Sequence, residues 1–110
     1  MALTPTQRSL KYLRKRGWRV AVTEHWNAFA HVRQDLFGFG DLLAVYPTEK
    51  PMLVQTTTRG NMQARIEKIL SLPSCIDVLR GGFVIAVHGW DGDELHVSEI
   101  IFTDSGLRVL

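Results

Sequence analysis

Two short apolar runs on either side of a proline-bracketed turn constrain this chain more than any other feature. Leu42, Leu43, Ala44, Val45 and Tyr46 form the first run, closed by Pro47-Thr48-Glu49-Lys50-Pro51. Met52, Leu53 and Val54 begin the second, which turns polar at Gln55, Thr56, Thr57 and Thr58. Runs of this length bounded by turn signals suit strands buried on both faces. Neither proline can donate to a ladder, which confines the connection to a turn. The stretch Asp35 to Asn61 is therefore expected to contain a pair of antiparallel strands.

Side chains alternate along a strand, so Asp41, Leu43 and Val45 share one face, as do Leu53, Gln55 and Thr57. A register pairing Asp41 with Gln55, or with Thr57, gathers all three polar groups at the open end of the hairpin. A slip of one residue sends Asp41 to the opposite side. A plain structural account also exists, in which Asp41 caps the start of its strand and the threonines are ordinary strand formers.

The rest of the chain supplies helices and further strands. Thr4-Pro5-Thr6-Gln7 has the chemistry of a helix start, with a capping box between Thr4 and Gln7 and proline at the first helical position. Leu10 and Leu13, with Ser9 and Tyr12, give an inward stripe, and Gly17 stops the helix. Trp18 to Glu24 alternates as a first strand. His25 to Gln34 has no clean period and reads as an irregular loop or a short helical turn. Phe37-Gly38-Phe39-Gly40 lets the backbone bend before Asp41. After the hairpin, Arg59-Gly60-Asn61 makes a turn able to cap a helix at Asn61, with Met62, Ile66, Ile69 and Leu70 at helical spacing. Pro73 ends that helix, and Ser74 with Asp77 offers a second capping box for a short helix through Arg80. Phe83 to His88 reads as a buried strand, Trp90 to Asp93 as a hairpin turn, and Leu95 to Thr103 as the last strand. The order is α-β-β-β-α-(α)-β-β, a mixed α/β (α+β) fold with a central mixed sheet flanked by helices.

At 110 residues with a formal net charge of +2, the chain is expected to form one domain with one core. Its apolar runs are far short of a membrane span, and MALTPTQRSLK carries no apolar segment of the secretory kind. A single cysteine, Cys75, excludes an internal disulfide and a cysteine-rich zinc site. A cytoplasmic protein is the expectation. The charge is uneven: Arg8, Lys11, Arg14, Lys15, Arg16 and Arg19 precede the first acid, Glu24. This suits either a basic face for a polyanion or a solvated helix whose cations favour its C-terminal dipole.

The strand order, Gly40-Asp41 leading into LLAV, and LVQTTT running into a helix with Arg65 and Lys68 together resemble the PD-(D/E)xK nuclease superfamily. The nearest shape is that of its compact Holliday-junction-resolvase-like members, over roughly residues 4 to 88. The resemblance implies a restriction-endonuclease-like fold, Mg²⁺ or Mn²⁺ as cofactor, DNA as partner (duplex or branched), and a homodimer. It places Asp41 at the family's Asp position, Gln55 at its Glu position and Thr57 at its Lys position. Gln55 and Thr57 depart from the pattern, since an amide oxygen is a weaker ligand than a carboxylate and Thr57 carries no positive charge. The first helix also lacks the acid found in resolvase-like members. Asp35 or Glu24 could supply a second carboxylate, and Arg59, Arg65 or Lys68 the missing cation. On this resemblance the metal ligands are Asp41, Gln55 and Asp35, with Thr57 and Lys68 as further catalytic candidates. Phosphate contacts fall to Arg8, Lys11, Lys15, Arg59, Asn61 and Arg65. Trp26 and Phe29 could stack on splayed bases or simply pack in the core. Two other readings stay open. One is the same fold with its cation site lost, acting as a DNA-binding or assembly module. The other is a small α+β protein whose polar hairpin end merely faces solvent.

Overall fold

The computed structural model describes residues 2–110, and its first element starts on the capping chemistry read above. Helix α1 (Pro5–Lys15) opens with Thr4 Oγ1 accepting from the Gln7 N–H while the Gln7 side chain accepts from the Thr4 N–H. The chain leaves the helix through Gly17 at φ +90°, a conformation that strains any residue with a Cβ. Ser9 and Leu13 are buried and Leu10 and Tyr12 half-buried, so the inward stripe is the one the spacing indicated.

Six strands form one mixed sheet in the spatial order β1 (Arg19–Val22), β4 (Leu42–Val45), β5 (Met52–Thr58), β6 (Val84–Asp91), β7 (Glu94–Thr103), β8 (Gly106–Val109). Neighbours are antiparallel except β5 and β6, which run parallel. A parallel pair needs a crossover. Here it consists of a 3₁₀ turn (Arg59–Asn61), α2 (Met62–Ser71) and α3 (Pro73–Arg80). Alternation along β5 and β6 splits the core. Leu53, Ile85 and Val87 pack with Ile66, Ile69 and Cys75 of the crossover helices. Val54 and Ala86 pack with Leu13, Leu42 and Ala44 on the α1 side. A Cβ at Gly89 of β6 would clash with Met62 and come within 3.2 Å of Arg59 Cα. That glycine lets the start of α2 lie directly on the sheet.

Several expectations need correction. His25 to Gln34 is neither irregular nor helical. It forms a separate antiparallel ribbon of β2 (His25–Asn27) and β3 (Val32–Gln34), whose three-residue strands are too short to show a period. The Ser74–Asp77 capping box does not form, because Leu72 takes the cap position and Ser74 Oγ donates to Phe37 O at 2.7 Å. Asn61 stands at the cap of α2, but its side chain makes no cap hydrogen bond after the 3₁₀ turn. The run beginning at Leu42 is not covered on both faces, since Val45 is 43% and Tyr46 37% exposed. The short strand β8 follows the strand expected to be last. No helix among the described residues is long and apolar enough to cross a membrane.

Candidate metal centre

The β4–β5 register pairs Leu42 with Val54 and Leu43 with Leu53, and one further step brings Asp41 beside Gln55. Of the two registers that would gather the polar end, this is the one formed. The ladder gives way at that step. The Asp41 N–H donates to Val54 O (2.8 Å), and the Asp41 carboxylate, in place of a backbone carbonyl, accepts the Thr56 N–H (2.8 Å). The same oxygen, Oδ2, also accepts from Gln55 Nε2 (2.8 Å) and Thr56 Oγ1 (3.1 Å). All three bonds fall on one oxygen and hold the carboxylate in a fixed pose.

Asp35 arrives by a tight loop. Leu36 and Gly40 exchange backbone hydrogen bonds of 2.9 and 2.8 Å, so the residues just outside them, Asp35 and Asp41, are brought together. The turn passes through Phe37 at φ +57° and Gly38 at φ +90°. Fully buried Phe39 anchors it among Leu53 and Ile69. Gly40 is needed because a Cβ there would lie 2.5 Å from Leu53 Cδ1. Glu24 comes from the other side. Just before it, the Thr23 N–H donates to Asp41 O and Thr23 Oγ1 to Gly40 O, both at 2.9 Å. One carboxylate oxygen each from Glu24, Asp35 and Asp41 then lies within 4.8 Å of the others.

Crowding three acids in a partly dry corner works against their charge. Burial pushes the Asp35 carboxyl up to about 6, with the Asp41 charge and a hydrogen bond from Asp35 to Asp41 adding to it; Lys68 and Arg65 pull the other way. Asp41 is also raised, by burial first and by the Glu24 charge, against the opposing pull of the Thr56 N–H and the Asp35 hydrogen bond. Gln55 sharpens the picture. It is 2% exposed, its Nε2 is spent on Asp41 and Thr56 O, and among the described residues its Oε1 has no hydrogen-bond partner. A buried amide oxygen left without a donor is uncommon in a folded chain and calls for an explanation.

These donors fit a hard divalent cation. An octahedral Mg²⁺ with oxygens at about 2.1 Å needs its ligands roughly 3–4.2 Å apart. The three acid oxygens, within 4.8 Å of one another, lie close to this spacing, and the Gln55 amide bonded to Asp41 carries an oxygen of the same hard type. Glu24 therefore joins the set beside Asp35, where the sequence had offered the two as alternatives.

The remaining candidates are spread unevenly. Lys68, with Asp35, Thr23, His25, Arg33 and Gln34, lines a cleft of about 570 Å³, and Arg65 is close enough to act on Asp35. Thr57 is buried beside Gly89 of β6 and makes no hydrogen bond to the acids. Arg59 lies 3.8 Å from Asp91 and Arg8 pairs with Asp93, so neither cation faces the corner. Asn61, Lys11 and Lys15 are exposed. α1 reaches the corner instead through Thr6, whose Oγ1 is 2.7 Å from Thr56 Oγ1. Thr56 itself escaped the sequence reading. Alternation puts it on the face opposite Gln55, and it meets Asp41 only because the ladder breaks there. No family model, curated protein or solved structure matches this chain.

Proposed function

We propose that the chain is a divalent-cation-dependent nuclease that hydrolyses phosphodiester bonds in DNA, at branched or otherwise irregular structures, as a cytoplasmic homodimer. The observation that carries this reading is the convergence of Glu24, Asp35 and Asp41 within 4.8 Å beside the unpartnered Gln55 Oε1. The antiparallel β4–β5 pair followed by a helical crossover to parallel β6 supports it, since this is the frame the PD-(D/E)xK resemblance implies.

Asp41 would be the fixed ligand, held by its three donors. Asp35, Glu24 and Gln55 would complete the oxygen set. A bound Mg²⁺ or Mn²⁺ supplies Lewis-acid polarisation of the phosphoryl oxygen and a more acidic water. Lys68 and Arg65, whose charges reach Asp35, would take the part of the missing family lysine and offset phosphate charge. The water oxygen bonds to phosphorus as the bond to the leaving sugar oxygen breaks. That oxygen takes up a proton, and the water's proton passes to solvent. Binding weakens with salt by a slope of about 0.9 per phosphate neutralised.

Thr57 supports a second reading, because it leaves the strand without the catalytic cation: a chain that binds DNA and does not cut it. One assay separates them. Labelled duplex, single-stranded and four-way-junction DNA are incubated with Mn²⁺ or with EDTA, alongside the Asp35→Asn and Asp41→Ala variants. Cutting that needs Mn²⁺ and is lost in both variants supports the nuclease. Mn²⁺ uptake by calorimetry and DNA binding without cutting would leave only the binding module. Absence of Mn²⁺ binding would remove both the metal centre and the enzyme.

A further inference from the structure

We propose that the β2–β3 ribbon is a base-stacking arm, which makes unpaired strands the substrate class of the neighbouring cleft. This rests on the nuclease reading for its biological sense, but the binding it describes needs no metal. The ribbon from His25 to Gln34 carries His25, His31 and Arg33 and no acid. It combines two exposed aromatic rings, Trp26 and Phe29, with Arg33, the kind of surface on which single-stranded nucleic acid is held.

The tip is a built turn rather than a loose loop. Asn27 Oδ1 accepts from the N–H groups of Phe29 (3.0 Å) and Ala30 (3.1 Å), and His31 turns the chain at φ +54°. Phe29 has its backbone fixed by that turn and its side chain 100% exposed. The turn is held by Asn27, so folding does not require a phenylalanine there. Trp26 is 57% exposed and stands edge-on to His31 at 6.4 Å. Across the ribbon it is paired with Arg33, which lies 3.5 Å from Glu24. Arg33 thus ties the base of the arm to the acid corner. His25 and Arg33 also line the cleft with Lys68 and Asp35.

An aromatic face can stack only on a base whose own face is free. Duplex interiors offer none, whereas single strands, flaps and junction arms do. Arg33 and Lys68, which line the adjoining cleft, supply cations for the strand's phosphates.

The test is fluorescence anisotropy in EDTA at low salt, with a labelled oligo-dT strand, a blunt duplex, and that duplex carrying a single-stranded tail. The wild type should prefer the strand and the tailed duplex. Phe29→Ala should weaken both by about tenfold while leaving the blunt duplex and the melting temperature unchanged. Phe29→Tyr should bind as the wild type does. Equal strand binding by Phe29→Ala overturns the proposal, as does an equal loss on all three probes. So does sedimentation showing that Phe29→Ala turns a dimer into a monomer, which would make the tip a self-contact. Strand binding through Phe29 with no Mn²⁺ uptake would keep the arm and remove the nuclease. Mn²⁺-dependent cutting indifferent to Phe29 would do the reverse.

Discussion

Two buried polar clusters, one between α1 and β6 and one where β4 meets β5, differ in what they leave over. On the α1 face, Trp90 Nε1 donates to Ser9 Oγ, Ser9 lies 2.9 Å from His88 Nδ1, and Tyr12 packs edge-on against both rings. Ser9 Oγ thus accepts from the indole and keeps a hydroxyl proton that a neutral His88 ring can accept. Burial agrees, pushing His88 down to about 4. Ser9 Oγ, His88 Nδ1 and Trp90 Nε1 all have partners inside the chain. At the β4 end of the sheet, Asp41 is equally buried and well bonded on one oxygen, yet it faces two further acids and an amide oxygen without a donor. Burial alone does not mark a functional group. The difference lies in what is left over, and here the surplus is crowded acids and an amide oxygen without a donor.

Asp41→Ala breaks this contrast most severely. It leaves the Thr56 N–H without its acceptor and takes one of two partners from both Gln55 Nε2 and the Thr56 hydroxyl. Losing buried hydrogen bonds on this scale should cost about 3–5 kcal/mol, read as a lower midpoint in urea, together with complete loss of Mn²⁺ binding. If the variant kept wild-type stability, Asp41 would not be the joint between β4 and β5 described above.

Ser9→Ala is the matching cut in the satisfied cluster. It leaves Trp90 Nε1 without an acceptor and His88 Nδ1 without its partner, a loss of about 2–4 kcal/mol, but should leave Mn²⁺ affinity unchanged. An acid limb belongs to the same cluster. Because the folded chain holds His88 near 4 and the unfolded chain near 6.5, the unfolded state binds the extra proton between those values. Stability contributed by the neutral imidazole is therefore present above pH 6.5 and lost as pH falls through 4. His88→Asn, which can keep an acceptor toward Ser9, should flatten that limb relative to wild type in urea titrations at stepped pH. A Ser9 variant that lost metal affinity would merge the two clusters into one.

How much of this was legible depended on sequence distance. The Thr4–Gln7 box, Gly17 and the Pro47–Pro51 turn are local, and their chemistry reads directly. Asp41 beside Gln55 is nearly local, since a short hairpin allows few registers. Asp35 was reachable as an idea through the glycines, but its placement depends on Phe39 sinking between Leu53 and Ile69, and that pocket exists only once α2 lies on the sheet. Ser9 with His88 is 79 residues apart and Thr6 with Thr56 is 50, and no pattern in the chain encodes how α1 is set against β5 and β6. The β2–β3 ribbon hid for another reason: three residues per strand give barely one alternation to read.

Asp35→Asn gives the smallest change in stability and the finest test of the contrast, because it removes surplus and not structure. Asp35 takes part in the crowding, while the backbone of its loop is held by Leu36, Gly40 and Phe39. Its folded value near 6 lies above the unfolded 3.8, so its favourable contribution holds below 3.8 and is lost as pH rises through 6. Asparagine mimics the protonated form and cannot suffer that loss. In EDTA at pH 8 the variant should melt a few degrees above wild type at most, since the side chain is partly open to solvent and screened. At pH 4 the two should melt together. Saturating Mn²⁺ should then reverse the order, because ligand held only by the folded state stabilises it by about 2.7 kcal/mol at a hundred times Kd, and the variant has lost a ligand. A chain built for stability alone would have no reason to keep a carboxylate that weakens it until a cation arrives. If Asp35→Asn were less stable than wild type in EDTA at pH 8, the third acid would be part of the scaffold, and the two clusters would differ in degree only.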